Sequence, residues 1–172
     1  MVIPLLSLFI SEETNSLTKM LSCLNYLSHH KVDVGLTSSA SGRSLFLMAI
    51  HERGSPIMRI PPRPIVRPAL KKPAAQEAMT ACCLDACEAA FSGDLPATAS
   101  ALEAAGQAGV DAIHAYMDAG IPPPNSPVTL SGGWIYNRVA RKGVYVSGKS
   151  GDKPMIDTGA LYNDFDYEVT DR

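Results

Sequence analysis

The stretch LPATASALEAAGQAGVDAIHAYMDA, residues 95–119, has the pattern of a long helix rich in alanine and glycine. Asp94 can cap its start, Pro96 is tolerated in the first turn, and Gly120 marks its end. Between residues 104 and 112 the small side chains let another backbone approach closely, although the glycines lower the helix propensity. The stretch therefore predicts a helix that packs tightly against a neighbour, either within the chain or between subunits.

The segments around this helix alternate between extended and helical patterns. Residues 2–10 are almost continuously apolar and predict a strand, and a helix is expected to follow at 12–28. Further predicted elements are a strand at 31–36, a helix at 44–53 ended by Gly54 in the left-handed conformation, a helix at 73–91, a turn at 157–161 and a strand at 165–169. Residues 125–156 are rich in serine, glycine and proline and predict a long loop or arm. Together these patterns predict a single α+β domain, residues 1–172, in which a small mixed or antiparallel sheet packs against two or three helices with extended loops.

The composition is that of a chain able to build a core, since 46% of its residues are hydrophobic and 19% are charged. The net charge of −2 excludes a globally basic nucleic-acid-binding protein, although a local basic face is compatible with it. The apolar run at the start is too short to span a bilayer and lacks the basic residues and cleavage site of a secretory signal. We therefore expect no membrane partner, and we expect synthesis in a reducing cytoplasm.

Charge is distributed along the chain in blocks of opposite sign. Residues 43–72 hold seven basic residues and one acid, whereas residues 73–120 hold seven acids and no Lys or Arg. Such blocks are either solvated faces that happen to alternate or complementary surfaces that meet between copies of the chain. The candidates for subunit-interface residues are Arg53, Arg59, Arg63, Arg67, Lys71, Asp111, Asp118 and Trp134.

The segment MRIPPRPIVRPAL, residues 58–70, is expected to form a rigid elbow between the two halves of the chain. Its first prolines favour an extended backbone, and Pro64 can occupy the first position of a helix. Arg63 and Arg67 would then lie about one turn apart. In that arrangement both guanidinium groups would face the acidic residues of a neighbouring subunit.

No motif in the sequence builds a catalytic, metal or cofactor site. Residues 157–159 match the Asp-Thr-Gly triplet of aspartic proteases, but the apolar strands that normally flank this triplet are missing. Cys83 and Cys87 would share one helix face, where a free cysteine usually acts as a small buried apolar residue. An intermolecular disulfide or a bound metal is the alternative for them. We expect a protein that is not an enzyme and that binds no cofactor and no metal.

Several pieces of the sequence carry a family resemblance. VDVGL at 32–36 leads into LMAIHERG at 47–54, and IPPRPIVRP follows at 60–68. GIPPPNSPVT at 120–129 and KPMIDTGAL at 153–161 come later. In this order and spacing they resemble the virion-morphogenesis family of tailed phages, which comprises tail-completion and neck proteins. The positions that match the family pattern are His51, Glu52, Gly54, Pro61, Arg63, Pro64, Arg67, Pro68, Asp157, Thr158, Gly159 and Leu161.

The resemblance implies a small α+β structural subunit that forms a ring, sixfold or twelvefold, where the head of the virion meets the tail. Such a subunit would act as a tail-completion (terminator) or neck (connector) protein and would catalyse nothing. Its partners would be further copies of itself, neighbouring neck, tail-tube or sheath proteins, and DNA that passes through the ring without sequence readout. Its location would be the virion, and the host cytoplasm during assembly.

The sequence departs from the family pattern at a few positions. Arg53 replaces the usual aromatic residue, Pro62 replaces a small residue, and residues 130–136 lengthen a loop that includes Trp134. These differences leave open which position in the neck the subunit would occupy. An alternative function, favoured by the basic residues of 43–72, is a phage DNA-binding or packaging accessory protein.

Overall fold

The computed structural model describes residues 4–56, 60–137, 140–149, 156 and 158–172, with side chains described from Thr14 onward. Within these ranges the chain forms seven helices and four strands. In chain order they are α1 (Pro4–His29), β1 (His30–Leu36), α2 (Gly42–Arg53), α3 (Val66–Leu70), α4 (Pro73–Ser92), α5 (Leu95–Asp118), α6 (Pro127–Ser131), β2 (Gly133–Asn137), β3 (Lys142–Val146), α7 (Ala160–Asn163) and β4 (Phe165–Asp171). The predicted α+β class is confirmed.

Helices α4 and α5 form an antiparallel pair around which the rest of the domain is arranged. Gly93 ends α4 in the left-handed conformation, at φ 76° and ψ 23°, which glycine adopts without a Cβ penalty. The carboxylate of Asp94 then caps α5 by accepting a hydrogen bond of 3.0 Å from the backbone N–H of Ala97. Both helices were predicted from the sequence, and the predicted ends agree within one residue.

The small side chains of α5 let a two-stranded sheet lie directly on this helix. Strands β1 and β4 pair antiparallel, and Val34 lies opposite Tyr167. A Cβ added to Gly106 would lie 2.5 Å from Cγ of Tyr167, and one added to Gly109 would lie 3.0 Å from Cγ1 of Val34. The glycines of α5 therefore serve close packing within the chain.

The core lies where the second half of α5 meets α3, α7 and the start of β4. Burying its apolar side chains supplies most of the stabilisation of a domain of this kind, at about 25 cal/mol for each Å² removed from water. Its fully or almost fully buried members are Ile65, Ala69, Ile113, Met117, Ile121, Leu161 and Phe165. The segment expected to be an elbow thus contributes Ile65 and Ala69 to the centre of the core.

The predicted strand at residues 2–10 is wrong for residues 4–10, because they are the first two turns of α1. Residues 2 and 3 lie outside the described residues. A continuous apolar run fits a buried strand and a buried helix equally well, and here it continues directly into the helical pattern that follows. No helix in the described ranges is long and apolar enough to cross a membrane.

The long loop predicted at residues 125–156 contains regular structure. Ser126 caps the short helix α6 by accepting a hydrogen bond from the backbone N–H of Thr129. Strands β2 and β3 then form an antiparallel hairpin, in which Trp134 lies opposite Tyr145. Apart from the pairing of its own two strands, this hairpin packs mainly against α6.

Asp164 joins the start of α2 to the segment between α7 and β4. Its Oδ2 accepts hydrogen bonds from the backbone N–H and from Oγ of Ser41, at 3.0 and 2.8 Å. Hydrogen bonds from Ser44 and Ser41 lower the pKa of this carboxyl below its ordinary value of 3.8. The contact is therefore made by the ionised form of Asp164.

Replacing Asp164 with asparagine is expected to make the free energy of unfolding less dependent on pH in the acidic range. Because the pKa of Asp164 is lower in the folded chain than in the unfolded chain, its contribution is present above pH 3.8 and is lost as the pH falls through the folded value. Thermal unfolding measured from neutral pH to below pH 3.8 should therefore show a smaller pH dependence for Asp164→Asn than for the parent. Glu103→Gln, at an exposed position of α5, is the control and should retain the parent slope. Equal slopes for the parent and Asp164→Asn would contradict the contribution of this contact to stability.

Candidate functional site

Arg63 lies inside the domain, and its guanidinium group joins two distant segments. The side chain is 8% exposed. Nε and Nη2 donate hydrogen bonds of 2.9 and 2.8 Å to the carbonyl oxygen of Pro123, and Nη2 also donates to that of Pro124 at 3.1 Å. The backbone N–H of Arg63 donates to the carbonyl oxygen of His51 at 2.6 Å.

The prediction that Arg63 and Arg67 share the first turn of a helix is therefore corrected. Helix α3 begins at Val66 rather than at Pro64, and Arg63 belongs to the extended segment that precedes it. The guanidinium group of Arg63 donates its hydrogen bonds within its own chain, to the carbonyl oxygens of Pro123 and Pro124 in the segment that follows α5. Arg67 is on the helix and exposed, as expected of a residue that meets a partner.

His51 lies beside this arginine in a half-buried environment. Burial lowers the pKa of the imidazole, and the positive charge of Arg63 lowers it further. Nδ1 of His51 is buried and makes no hydrogen bond to the described part of the chain. Both effects disfavour the imidazolium form, so His51 is neutral at pH 7. The contact with Arg63 is made by the backbone carbonyl of His51 and does not involve the ring.

Gly54 follows α2 and turns the chain towards the proline-rich segment. Its φ of 70° is positive as predicted, but its ψ of 179° lies outside the left-handed helical region. A Cβ at this position would lie 2.8 Å from the carbonyl oxygen of Ile60 and 2.9 Å from the nitrogen of Pro62. Only glycine allows the two segments to lie this close, which gives the glycine of the motif a structural role.

The other positions that match the family pattern are distributed around the domain. Leu161 is buried in the core, and Gly159 precedes α7 at φ 80°. Thr158 accepts a hydrogen bond of 3.4 Å from the backbone N–H of Ala160. Asp157 lies outside the described residues. Pro61, Pro64 and Pro68 are half-buried, and Glu52 is exposed.

The remaining interface candidates are at the surface, except Arg59, which lies outside the described residues. Arg53 and Lys71 are exposed. Asp111 accepts a hydrogen bond of 2.9 Å from Nε2 of Gln107, and Asp118 accepts one of 3.1 Å from the hydroxyl of Tyr162. These two carboxylates are therefore held by their own chain while they remain accessible to a partner.

The β2–β3 hairpin carries an aromatic face that the described part of the chain leaves uncovered. Side chains alternate across a strand, so Trp134, Tyr136 and Tyr145 project from the same face, and all three are exposed. Trp134 is 73% exposed and meets Tyr145 edge to face, with ring centroids 5.8 Å apart. The tryptophan ring also lies against Gly143, where an added Cβ would be 3.5 Å from Cε3. We call Trp134, Tyr136 and Tyr145 the aromatic face.

The outer side of α4 carries a second uncovered apolar surface. Leu84 and Phe91 are seven residues apart and therefore lie on the same side of the helix, with Cys87 and Glu88 between them. Leu84 is 59% exposed and Phe91 is 66% exposed. We call Leu84, Cys87, Glu88 and Phe91 the α4 stripe.

The expectation that Cys83 and Cys87 are buried is wrong, since both thiols are free and exposed. The face of α4 that packs inward instead carries Ala75, Ala86 and Ala90. Partial burial raises the pKa of Cys83, and the nearby thiols of Cys82 and Cys87 raise it further, so its thiol is not activated as a nucleophile. Alanine therefore occupies the side of α4 that packs against α1 and α5.

Open depressions in the surface of the described residues contain polar side chains. One depression is lined by residues 53–56 and 60–62, and another by 33–38 with Glu168. In the second depression the hydroxyl of Ser38 donates a hydrogen bond to Oε1 of Glu168, while the lining of the first includes no Asp, Glu or His. Across the residues that the structure describes, no group of three or more His, Cys, Asp or Glu is placed to hold a metal ion.

Sequence reasoning identified Trp134 and missed the rest of both surfaces. The signals were present, since Trp134 and Tyr136 alternate along a strand and Leu84 and Phe91 recur at helical spacing.

A scan against protein-family models, a search of curated proteins and a search of solved structures find no match for this chain. Its function is therefore inferred from the sequence pattern and from the surfaces of the molecule.

Proposed function

We propose that this chain is a structural subunit of a tailed-phage virion that assembles into a ring at the head–tail junction. The assignment to a virion rests on the sequence resemblance, and assembly is supported by exposed apolar surfaces, among them the aromatic face and the α4 stripe. Exposed apolar patches of this kind are typical of protein–protein contacts. In such a ring the subunit would join tail to head, contact neighbouring neck, tail-tube or sheath proteins, and let DNA pass without sequence readout.

The charge pattern supports assembly from identical subunits. A closed ring uses a heterologous contact, in which each copy presents two different patches to its two neighbours. The basic segment at 43–72 and the acidic segment at 73–118 supply patches of opposite sign on one chain. Arg67 and Lys71 of the first segment and Glu77 of the second are exposed.

The position of the motif residues is also compatible with a structural role. Three of the segments that carry the family resemblance meet at Arg63, through its contacts with His51, Pro123 and Pro124. Residues of this kind hold the fold in place and need no ligand to explain them. The proposal therefore assigns the motif to the architecture of the subunit and assigns partner contacts to the exposed residues.

A second candidate function is a phage DNA-binding or packaging accessory protein. The hairpin favours it, because exposed aromatic rings lie near the exposed cations Arg141 and Lys142, and bases stack on such rings while cations meet phosphates. A gel shift with duplex and single-stranded DNA over a range of salt concentrations separates the two functions. Binding that weakens steeply with salt would favour the accessory role.

Replacing Arg67 with glutamate is expected to abolish ring assembly while leaving the subunit folded. The residue is exposed on α3 within the basic segment, so the change reverses a charge at the proposed contact without disturbing the core. Native mass spectrometry and negative-stain images of the parent should show a ring, and those of Arg67→Glu should show monomers. Arg172→Glu makes the same charge change outside the basic segment and should still form rings. Rings formed equally well by Arg67→Glu would contradict the electrostatic contact, and a parent that never assembles would contradict the proposed function.

A further inference from the structure

The aromatic face and the α4 stripe lie in surroundings of opposite charge. Residues 119–149, which include the hairpin, contain no Asp or Glu, and Arg141 and Lys142 are exposed near its turn. Residues 73–118 contain seven acids and no Lys or Arg, and Glu77, Asp85 and Glu88 are exposed on α4. Basic residues therefore flank the aromatic face, and acidic residues flank the α4 stripe.

We propose that the aromatic face of one copy docks on the α4 stripe of the next copy. This inference rests on the proposed ring and names an apolar contact between neighbouring copies that would act beside the charged contact at Arg67. Trp134, Tyr136 and Tyr145 would cover Leu84 and Phe91, while Arg141 at the hairpin turn approaches the carboxylates of α4. Large aromatic anchors that bury apolar side chains, with charged pairs at the rim, are the arrangement that gives protein contacts their affinity and register.

A second copy is favoured over nucleic acid as the occupant because one contact accounts for both surfaces. Nucleic acid would cover the aromatic rings, but it would leave Leu84 and Phe91 exposed on a helix rich in carboxylates that repel phosphate. The contact is also heterologous, since the hairpin of one copy meets a different element of its neighbour. An open chain of copies then retains one free hairpin at one end and one free α4 stripe at the other until the ring closes.

The hairpin is placed to reach a neighbour. Outside itself it packs mainly against α6, and Lys149, which follows β3, is anchored by a hydrogen bond of 2.8 Å from Nζ to the carbonyl oxygen of Ile156. The backbone N–H of Lys149 also donates to the carbonyl oxygen of Thr129 at 3.0 Å. The base of the hairpin is thus held to its own subunit while its aromatic face remains open.

Disulfide trapping tests the contact directly, because α4 supplies an exposed thiol at Cys87. Tyr136→Cys is combined with Cys82→Ser and Cys83→Ala, which leaves Cys87 as the exposed thiol of α4 within the described chain. Mild oxidation followed by non-reducing electrophoresis should give a ladder from dimer upward, since each copy carries one thiol of each kind. Cys87→Ser in the same background should remove the ladder.

A matched pair of variants on the hairpin measures the energetic role of the aromatic face. Trp134→Ala should raise the protein concentration at half assembly at least about tenfold, as expected for a central aromatic anchor. Ile135→Ala is the control, because its side chain projects from the opposite face of the hairpin, and it should leave assembly unchanged. Both concentrations are read from sedimentation velocity.

The possible outcomes separate this contact from the proposed ring. If the parent forms rings but the thiols at positions 136 and 87 do not cross-link and Trp134→Ala assembles normally, the contact is overturned and the ring stands. If oxidation traps only a closed dimer, the head-to-tail arrangement is overturned. If Trp134→Ala loses retention on a DNA column while assembly is unchanged, the aromatic face binds nucleic acid and the inference is overturned. A parent that stays monomeric removes the ring and this contact together.

Discussion

Arg63→Glu is expected to lower the free energy of unfolding by about 3–5 kcal/mol, the largest effect foreseen for a single polar residue of this chain. The guanidinium group of Arg63, a residue that is 8% exposed, makes three part-buried hydrogen bonds to the carbonyl oxygens of Pro123 and Pro124. A glutamate there would leave these carbonyls unpaired and would bury a negative charge beside them. At about 2–4 °C for each kcal/mol in a domain of this size, the melting temperature should fall by about 10 °C.

The matched control for Arg63→Glu is Arg67→Glu, because the same change is made at an exposed position four residues away. Urea unfolding at a protein concentration where both variants are monomeric should place Arg67→Glu within about 0.5 kcal/mol of the parent. Arg63→Met, which keeps much of the volume and loses the charge, should lie between Arg63→Glu and the parent. Equal stabilities of Arg63→Glu and Arg67→Glu would show that the contacts of Arg63 do not stabilise the fold.

Gly106→Leu is expected to destabilise the domain by about 3 kcal/mol, because the sheet lies against α5 with no room for a side chain at this position. A Cβ alone would lie 2.5 Å from Cγ and 2.9 Å from Cβ of Tyr167. The tyrosine belongs to β4, so the added side chain must push the sheet away from the helix or force Tyr167 out of its rotamer. The gain in helix propensity on replacing glycine, about 1 kcal/mol, offsets only part of this loss.

Two further variants show whether the effect of Gly106→Leu comes from this contact. Ala104→Leu places the same side chain at an exposed position on the same helix and should change stability by less than about 0.5 kcal/mol. Tyr167→Ala removes the ring that the new side chain would meet, so the double variant Gly106→Leu with Tyr167→Ala should be more stable than the sum of the two single changes indicates. Strict additivity in urea unfolding would mean that the strain lies elsewhere.

The elements that were predicted correctly are those whose signals are local. Helices α4 and α5 each have a proline in the first turn. A glycine ends α4, and an aspartate caps the start of α5. Strands β1 and β4 alternate with period two along most of their length. The apolar run at 2–10 failed as a strand because it has no periodicity, and an unpatterned run leaves the choice between helix and strand to its neighbours.

For the candidate functional residues, too, the sequence signal was informative where it was local and misleading where it depended on packing between elements. Trp134, Arg67 and Lys71 are exposed and stay candidates for a partner contact, whereas Arg63 was assigned to a partner and lies inside the chain. Cys83 and Cys87 were expected to be buried, yet alanines occupy the inner side of α4. Which side of a helix faces inward depends on the elements that pack against it, and an alanine-rich helix has little hydrophobic contrast between its sides.

The sequence by itself determined the α+β class, the pair of long helices and the tight approach that the small side chains of α5 allow, because all of these follow from local patterns of residue type. The tertiary structure decided that this approach is made by Val34 and Tyr167 of the chain's own sheet, and that Arg63 is held by carbonyl oxygens sixty residues away in the chain. It also decided that the aromatic face and the α4 stripe are left uncovered. These outcomes depend on contacts between residues far apart in sequence, which no local pattern encodes.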